Sequence, residues 1–401
     1  MSLSNKRVFV LVVSLILSSC AISERDNGLI YLSSDCSISI CSSDDVLKES
    51  SDDDSSSFYN GNSFSSNSSS NSICSSDETI TSTTSNDDSQ EEHTEELYNL
   101  ESKLELLDDY KMASDNYDLF CYFTDPHCYT FGLNSCSNEL IEPERFVFLK
   151  KAYELSDSEF VFCGGDILCD GDTISQACYK ISNFDNRMKA NFKKYHFIIG
   201  NHDTNYQGDT WCLSSDWLSC QLSPEILGHL LFNGGKTYYM FETEKTAYYC
   251  FDSGIDWNLP MTPYRKEQIA WFADKLNECD KEHIAVLIHM ALLWDNITLL
   301  PMMKEIGKVI QAYNSRLLFK CENTVYNYSE SKGHIDFVQA GHNHLDINNL
   351  YCGGIPLILT TSFSNTQTPS FDFVFADYSN SIIRCIRIGD GEDREFNISI
   401  S

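Results

Sequence analysis

The chain has 401 residues, 42% of them apolar and 12% aromatic, enough for one large domain or two small ones with a real core. Its formal net charge is −31, from 28 Lys and Arg against 59 Asp and Glu. That balance argues against nucleic acid as a partner, since such proteins present a basic face to phosphates, and no run of 18 apolar residues is present to span a membrane. The charge is uneven: residues 1–20 are net positive, residues 21–116 hold 22 acids against 4 bases, and the remainder is milder.

Residues 1–20 read as a signal peptide. Lys6 and Arg7 form a positive start, Val8 to Leu17 an apolar stretch too short to span a bilayer, and Ser18, Ser19, Cys20 and Ala21 a small-residue end. Leu17-Ser18-Ser19-Cys20 also resembles a bacterial lipobox, in which the Cys is lipidated. Cleavage near Ala21 as an ordinary secretory signal is the alternative. Residues 21–96 follow as a tether dominated by Ser, Asp and Asn. Such a segment has too little to bury to offset its ordering entropy, so it is expected to be disordered, and its charge keeps it extended. The arrangement predicts a secreted or extracytoplasmic protein, lipid-anchored to a membrane surface through Cys20. If residues 1–20 are not processed, the chain is intracellular instead.

Residues 97–116 are expected to form a lead-in helix, with Leu97, Leu100, Leu104 and Leu107 on one stripe. The domain then occupies residues 117–401. Short apolar runs alternate with helix-like segments, the pattern of an α/β or layered α+β fold. Candidate strands are Leu119–Thr124, Phe160–Cys163, Tyr195–Ile199, Ile284–Ile288 and Ile335–Gln339. Candidate helices run over Pro143–Leu155, over Thr173–Met188, and from Thr262-Pro263, an N-cap followed by proline at the first helical position.

The polar residues of interest fall just past those strands. They are Asp125-Pro126-His127, Gly165-Asp166, Gly200-Asn201-His202-Asp203, His289, and Gly341-His342-Asn343-His344. Ligand sites of open α/β sheets gather at that edge, so five loops distant in sequence are expected to converge. Asp, His and Asn offer hard oxygen and imidazole nitrogen, which suit zinc, iron or manganese. Seven donors exceed one ion's coordination shell and suffice for two ions sharing a carboxylate. Gly165, Gly200 and Gly341 are read as sharp turns beside the ligands.

Of 17 Cys, 13 follow residue 116. There is no CxxC pair to support a thiolate zinc site. Cys121, Cys163 and Cys250 lie in apolar runs, where a thiol behaves as a small hydrophobe. Disulfide pairing is left open.

The ordered set D-x-H, G-D, G-N-H-D, H, G-H-x-H resembles the calcineurin-like metallophosphoesterase superfamily over about residues 117–395. The resemblance implies two mixed β-sheets packed as a sandwich flanked by helices. It implies a bimetallic hydrolase that cleaves phosphomonoesters or phosphodiesters with a metal-activated hydroxide. Asp125, His127 and His344 correspond to ligands of one ion, and Asn201, His289 and His342 to ligands of the other, with Asp166 bridging. His202 corresponds to the catalytic histidine that assists the leaving group, and Asp203 is expected to orient it. Two positions depart from the pattern. Relatives often carry an acid or amide three residues after the Asp166 position, where this chain has Cys169 and places Asp170 one later. Met290 follows His289 where relatives have proline.

Other features have plainer readings. His93, His196, His229, His283 and His334 lie outside the motifs. Asp170 and Asp172 are loop acids or helix caps as readily as members of the site. Tyr206, Trp211, Trp217 and Trp294 follow motif loops and are packing residues as readily as a substrate wall. Asn67, Asn296, Asn327 and Asn397 head Asn-x-Ser/Thr triplets that matter only if the source glycosylates. The alternative to an enzyme is a surface-anchored, non-catalytic metal-binding module retaining the fold. Oligomeric state is not legible.

Overall fold

The computed structural model describes residues 99–398, except 128–140, 169–173, 205–221, 255–260, 294 and 365–368. The signal, the tether and Cys20 lie outside the described residues, as do Cys169, Asp170, Asp172, Tyr206, Trp211, Trp217 and Trp294. Among the described residues no helix is long and apolar enough to cross a membrane.

In chain order the elements are α1 (Leu100–Ala113), β1 (Tyr117–Phe123), α2 (Ile141–Ser156), β2 (Val161–Cys163), α3 (Ile174–Asn191) and β3 (Tyr195–Phe197). Next come α4 (Pro224–Leu231), β4 (Tyr239–Glu242), β5 (Thr246–Phe251), α5 (Pro263–Glu278) and β6 (His283–Ile288). Then follow α6 (Pro301–Asn314), β7 (Leu318–Cys321), β8 (Thr324–Asn327), β9 (His334–Ala340) and β10 (Ile347–Tyr351). The chain ends with β11 (Ile355–Leu359), β12 (Phe371–Asp377), β13 (Ile382–Ile388) and β14 (Arg394–Asn397).

Two six-stranded mixed sheets result, ordered β14-β13-β12-β1-β2-β3 and β10-β11-β9-β6-β5-β4, with β7 and β8 as a separate hairpin. β1, β2 and β3 run parallel in the first sheet, and β5, β6, β9 and β11 in the second. Side chains alternate across each strand, so each sheet serves two layers. Phe120, Tyr122 and Phe162 of the first sheet meet Tyr248, Leu287 and Phe337 of the second in the inter-sheet core. Leu119, Cys121 and Phe123 point the other way, into a core shared with Leu107, Leu149 and Ile181 of α1, α2 and α3. Tyr249, Val286 and Val338 pack likewise against Phe272 of α5 and Ile306 of α6. The order helix, sheet, sheet, helix is the expected flanked sandwich.

The expected strands all form, some ending a residue or two early, and the helix at 97–116 spans Leu100–Ala113 within the described residues. Thr262 caps α5 as expected: its side chain accepts the Arg265 N–H, and Pro263 opens the helix. No disulfide links the eight described cysteines. Burial pushes the Cys121 and Cys385 thiols up to about 12, so they behave as inert core residues.

Candidate metal centre

The five motif loops leave the carboxyl ends of β1, β2 and β3 in one sheet and β6 and β9 in the other. They meet at one edge of the sandwich. One cluster of donor atoms comprises Asp125, His127 and His344, and a second comprises Asp166, His289 and His342; within each the atoms lie within 4.8 Å of one another. In the first, His344 Nε2 is 3.1 Å from both His127 Nε2 and Asp125 Oδ1. In the second, His289 Nε2 is 3.0 Å from Asp166 Oδ2. The clusters adjoin, because the same His289 nitrogen is 3.8 Å from Asp125 Oδ1.

Each donor is aimed by what holds its other end. His127 Nδ1 is 3.0 Å from the Leu168 carbonyl and His289 Nδ1 2.7 Å from the Gly164 carbonyl. A carbonyl only accepts, so each Nδ1 carries a proton and each Nε2 faces the centre, where it can ligate an ion in the neutral ring. Asp125 Oδ2 accepts from Thr124 Oγ1 and the His342 N–H, which leaves Oδ1 on the donor side. Asp166 Oδ1 accepts the His202 N–H at 2.9 Å, and Oδ2 faces the histidines. His202 stands at the open side, a quarter exposed, with Nε2 3.9 Å from Asp166 Oδ2.

The backbone is strained where these residues sit. Asp125, His127, Asp166, His342 and His344 all have φ between +42° and +73°. Side chains other than glycine rarely occupy that region, and it costs of order 1–3 kcal/mol per residue, so surrounding bonds must impose it. The glycines act differently from the sharp turns expected of them. Gly165 does adopt a left-handed φ of +98°, but Gly200 and Gly341 do not. Those two are needed for close approach: a Cβ on Gly200 would lie 2.1 Å from Asp166 Oδ1, and one on Gly341 would lie 2.7 Å from Asp125 Oδ2.

The charges fit a cation. Asp125 and Asp166 are fully buried, and among the described residues neither has a Lys or Arg partner. Burial pushes the Asp166 carboxyl up, but His289 and His202 outweigh that and hold it well below the usual carboxylate range. Asp125 is lowered similarly by His289 and His344 against its burial. Burial opposes charge on His289, yet the Asp166 and Asp125 carboxylates raise it to about 9. His342 is pushed down to about 3 by burial and by His289, so it offers a neutral nitrogen. Burial lowers His127 as well. A lone imidazolium between two buried carboxylates is a weak form of the compensation that divalent ions supply. Asn201, buried between Gly200 and His202, keeps a side-chain amide oxygen, Oδ1, that accepts no hydrogen bond among the described residues. The set of carboxylate, imidazole and amide oxygen suits Zn, Fe or Mn.

Asp203 departs from expectation. Its Oδ2 accepts the Asp166 and Gly200 N–H groups and its Oδ1 the Leu168 N–H, at 2.9–3.0 Å. It staples the Asp166 and Gly200 loops together rather than orienting His202, because a buried carboxylate beside three backbone donors is best satisfied there. Burial first and Asp166 second raise it to about 7. The other described histidines lie elsewhere: His283 and His334 each bond the buried Asp336 at 2.9 Å, at the strand ends opposite the centre.

Two supporting loops carry no signal that the sequence reading used. After β5, Ser253 Oγ accepts the Met290 N–H, beside His289, and a Cβ on Gly254 would lie 2.0 Å from the Gly200 carbonyl. After β11, Ser362 and Ser364 donate to the Asp125 carbonyl, and Thr361 donates to the His344 carbonyl. Short polar residues of this kind look like ordinary turn formers.

No curated protein sequence matches the chain. Among solved structures, a dimetal phosphatase from Danio rerio is 15% identical, with a TM-score of 0.46, over 70% of this chain and 99% of that one. A purple acid phosphatase from yellow lupin (Lupinus luteus) is 14% identical, with a TM-score of 0.44, over 70% and 54%. A 5′-nucleotidase from Candida albicans is 13% identical, with a TM-score of 0.36, over 64% and 46%. These likenesses are distant. The profile of the calcineurin-like phosphoesterases matches residues 119–346, the stretch that contains all five motif loops. On that match the chain belongs to the calcineurin-like phosphoesterase family and is a metal-dependent phosphoester hydrolase.

Proposed function

We propose that the chain hydrolyses phosphoesters at a two-ion centre. Asp125, His127 and His344 would hold one ion, Asn201, His289 and His342 the other, and Asp166 would serve both. The observation that carries this reading is the pair of adjoining donor clusters joined through His289, Asp125 and Asp166. When bound, the ions supply Lewis acidity toward phosphate oxygens and acidify water.

The remaining work falls to the chain's own residues. The carbonyls of Leu168 and Gly164 hold His127 and His289 in the tautomer that donates from Nε2. Thr124 and the His342 N–H keep Asp125 from turning away. His202, at the open side, would donate its Nε2 proton to the departing oxygen as the P–O bond to that oxygen breaks; the water's oxygen takes that oxygen's place on phosphorus, and the proton the water sheds passes to solvent, from which His202 is reprotonated. Asp203 keeps the Asp166 and Gly200 loops in register while this happens.

The test is metal content of the purified full chain alongside hydrolysis of an aryl phosphomonoester and an aryl phosphodiester, with and without chelator. Two ions per chain and chelator-sensitive hydrolysis are the expected result, and the faster ester fixes the substrate class. A folded chain that binds no Mn²⁺, Fe²⁺ or Zn²⁺ and cleaves neither ester refutes the proposal. Lipid anchoring at Cys20 is a further part of this reading, supported by the sequence alone. Fatty-acid label that persists in Cys20→Ser would refute it.

A further inference from the structure

His344 is held differently from the other donors. Its side chain is 31% exposed, against 9% or less for Asp125, His127, Asp166 and His289. Its φ is +53°. His127 and His289 carry braces on their rings, and His344 carries one on its backbone carbonyl. Thr361 Oγ1 donates to the His344 carbonyl at 2.9 Å, and the Thr361 N–H donates to Asp346 Oδ1 at 3.1 Å.

Asp346 is itself clamped. Arg387 takes both of its oxygens, Nη2 to Oδ1 at 2.6 Å and Nη1 to Oδ2 at 2.9 Å. Arg387 is buried, and its Nε reaches the buried Asp372 at 2.7 Å. Arg394 joins the same pair of acids, 2.5 Å from Asp372 and 3.3 Å from Asp346. The cluster therefore ties the strap from His344 to β10, and the loop after β11, to β12, β13 and β14. A buried ion cluster is a poor way to gain stability, because desolvation consumes most of the attraction. A planar, two-pronged arginine grip is a good way to fix an orientation.

We propose that Asp346, Arg387 and Thr361 are positioning residues that keep His344 in its strained conformation, and so set the affinity of the ion shared by Asp125, His127 and His344. The proposal rests on the two-ion reading above. Removing the clamp lets the His344 backbone relax and withdraws one nitrogen from one ion only. His289, held by the Gly164 carbonyl, and Asp166, held by the His202 N–H, keep their own braces, so the second ion is expected to stay in place.

The experiment titrates Mn²⁺ into metal-free full chain and follows the exchange-coupled pair by EPR, with the melting temperature of the metal-free protein measured in parallel. Asp346→Ala and, independently, Thr361→Val are compared with the parent. Thr361→Val deletes only the hydroxyl on the His344 carbonyl and leaves the ion cluster intact. Both variants are expected to bind the first ion about 10–100-fold more weakly, the usual effect of losing a brace behind a ligand. The coupled signal gives way to that of the second ion alone, the signal left in His344→Ala and distinct from that of the first ion alone, left in His342→Ala. Excess Mn²⁺ restores the coupled signal, and the metal-free melting temperature of Thr361→Val stays near the parent's. If both ions weaken together in step with a fall in metal-free melting temperature, the cluster is merely structural and the proposal fails. It also fails if both variants bind the pair as the parent does. A parent chain that never binds a pair of ions overturns the two-ion reading, and this proposal with it.

Discussion

Gly200→Ala is the most informative single change. The added methyl would sit 2.1 Å from Asp166 Oδ1 and 2.4 Å from the Asp166 backbone nitrogen. Ordinary contact begins near 3.4 Å, so the Asp166 backbone must retreat by about 1 Å. Asp203 pins the nitrogens of Gly200 and Asp166 to one oxygen, so that retreat breaks a bond there. It also stretches the 2.9 Å bond from His202 N–H to Asp166 Oδ1. Overpacking costs about 1–3 kcal/mol, and a lost hydrogen bond to a charged group about 1.5–3 kcal/mol. Stiffening the unfolded chain returns about 0.4–1 kcal/mol. The net destabilisation is roughly 1.5–5.5 kcal/mol, or on the order of 3–9 °C in melting temperature for a domain of this size. Activity suffers more, since a 1 Å displacement in an active site costs about 100-fold. Calorimetry, metal analysis and kcat/KM on an aryl phosphate measure the three effects. A variant that keeps both ions, its melting temperature and kcat/KM would refute the claim that Gly200 sets the position of Asp166.

Three further outcomes are expected. His202→Ala retains both ions and loses turnover by roughly 100-fold or more, the scale of a lost general acid; metal analysis with steady-state kinetics checks this, and full turnover would remove His202 from the mechanism. Asp203→Asn puts an amide NH₂ against backbone donors, so metal affinity and melting temperature fall together. If Asp203 acted only on the His202 ring, turnover alone would fall. His196 gives a pH dependence away from the centre: burial, with Lys194, lowers it from 6.5 to about 4, and its ring stacks on Phe241. Between pH 4 and 6.5 the unfolded chain binds the extra proton, so this contribution is complete above 6.5 and is lost as pH falls through that window. The loss is on the order of 3 kcal/mol, and His196→Phe should flatten the acid side of a stability–pH curve by that amount.

Legibility from sequence followed burial. β1, β2, β6 and β9 are interior strands, and they read as mainly apolar runs; the edge strand β3 is legible through the buried run from Phe197 to Ile199 that follows its half-buried start. β12 and β13 escaped because Asp372 and Arg387, which look solvent-facing in a sequence, pair with each other inside. α6 was hidden by Gly307 in mid-helix, where a Cβ would strike Cys352 Sγ at 2.5 Å. In the centre, the donor types and their places after strands were legible. The left-handed backbone at five of them was not, because strain is imposed by partners distant in sequence. Asp203 shows the same limit: its position in the motif predicts proximity to His202, but only three converging backbone N–H groups decide where its charge goes.

The strand order has a consequence for synthesis. The second sheet is built from one continuous stretch, β4 to β11, inserted between the two halves of the first. Within the first sheet, Tyr117 of β1 pairs with Asp377 of β12. At about 5–20 residues per second, the strand that delivers Asp125 waits roughly 13–50 s for its neighbour to be made. Throughout that interval its apolar face and open edge are exposed to chaperones or to other nascent chains. A message cut short between residues 344 and 371 therefore encodes every donor residue of the centre and still lacks the last three strands, which donate nothing to it but complete the sheet on which half of it stands.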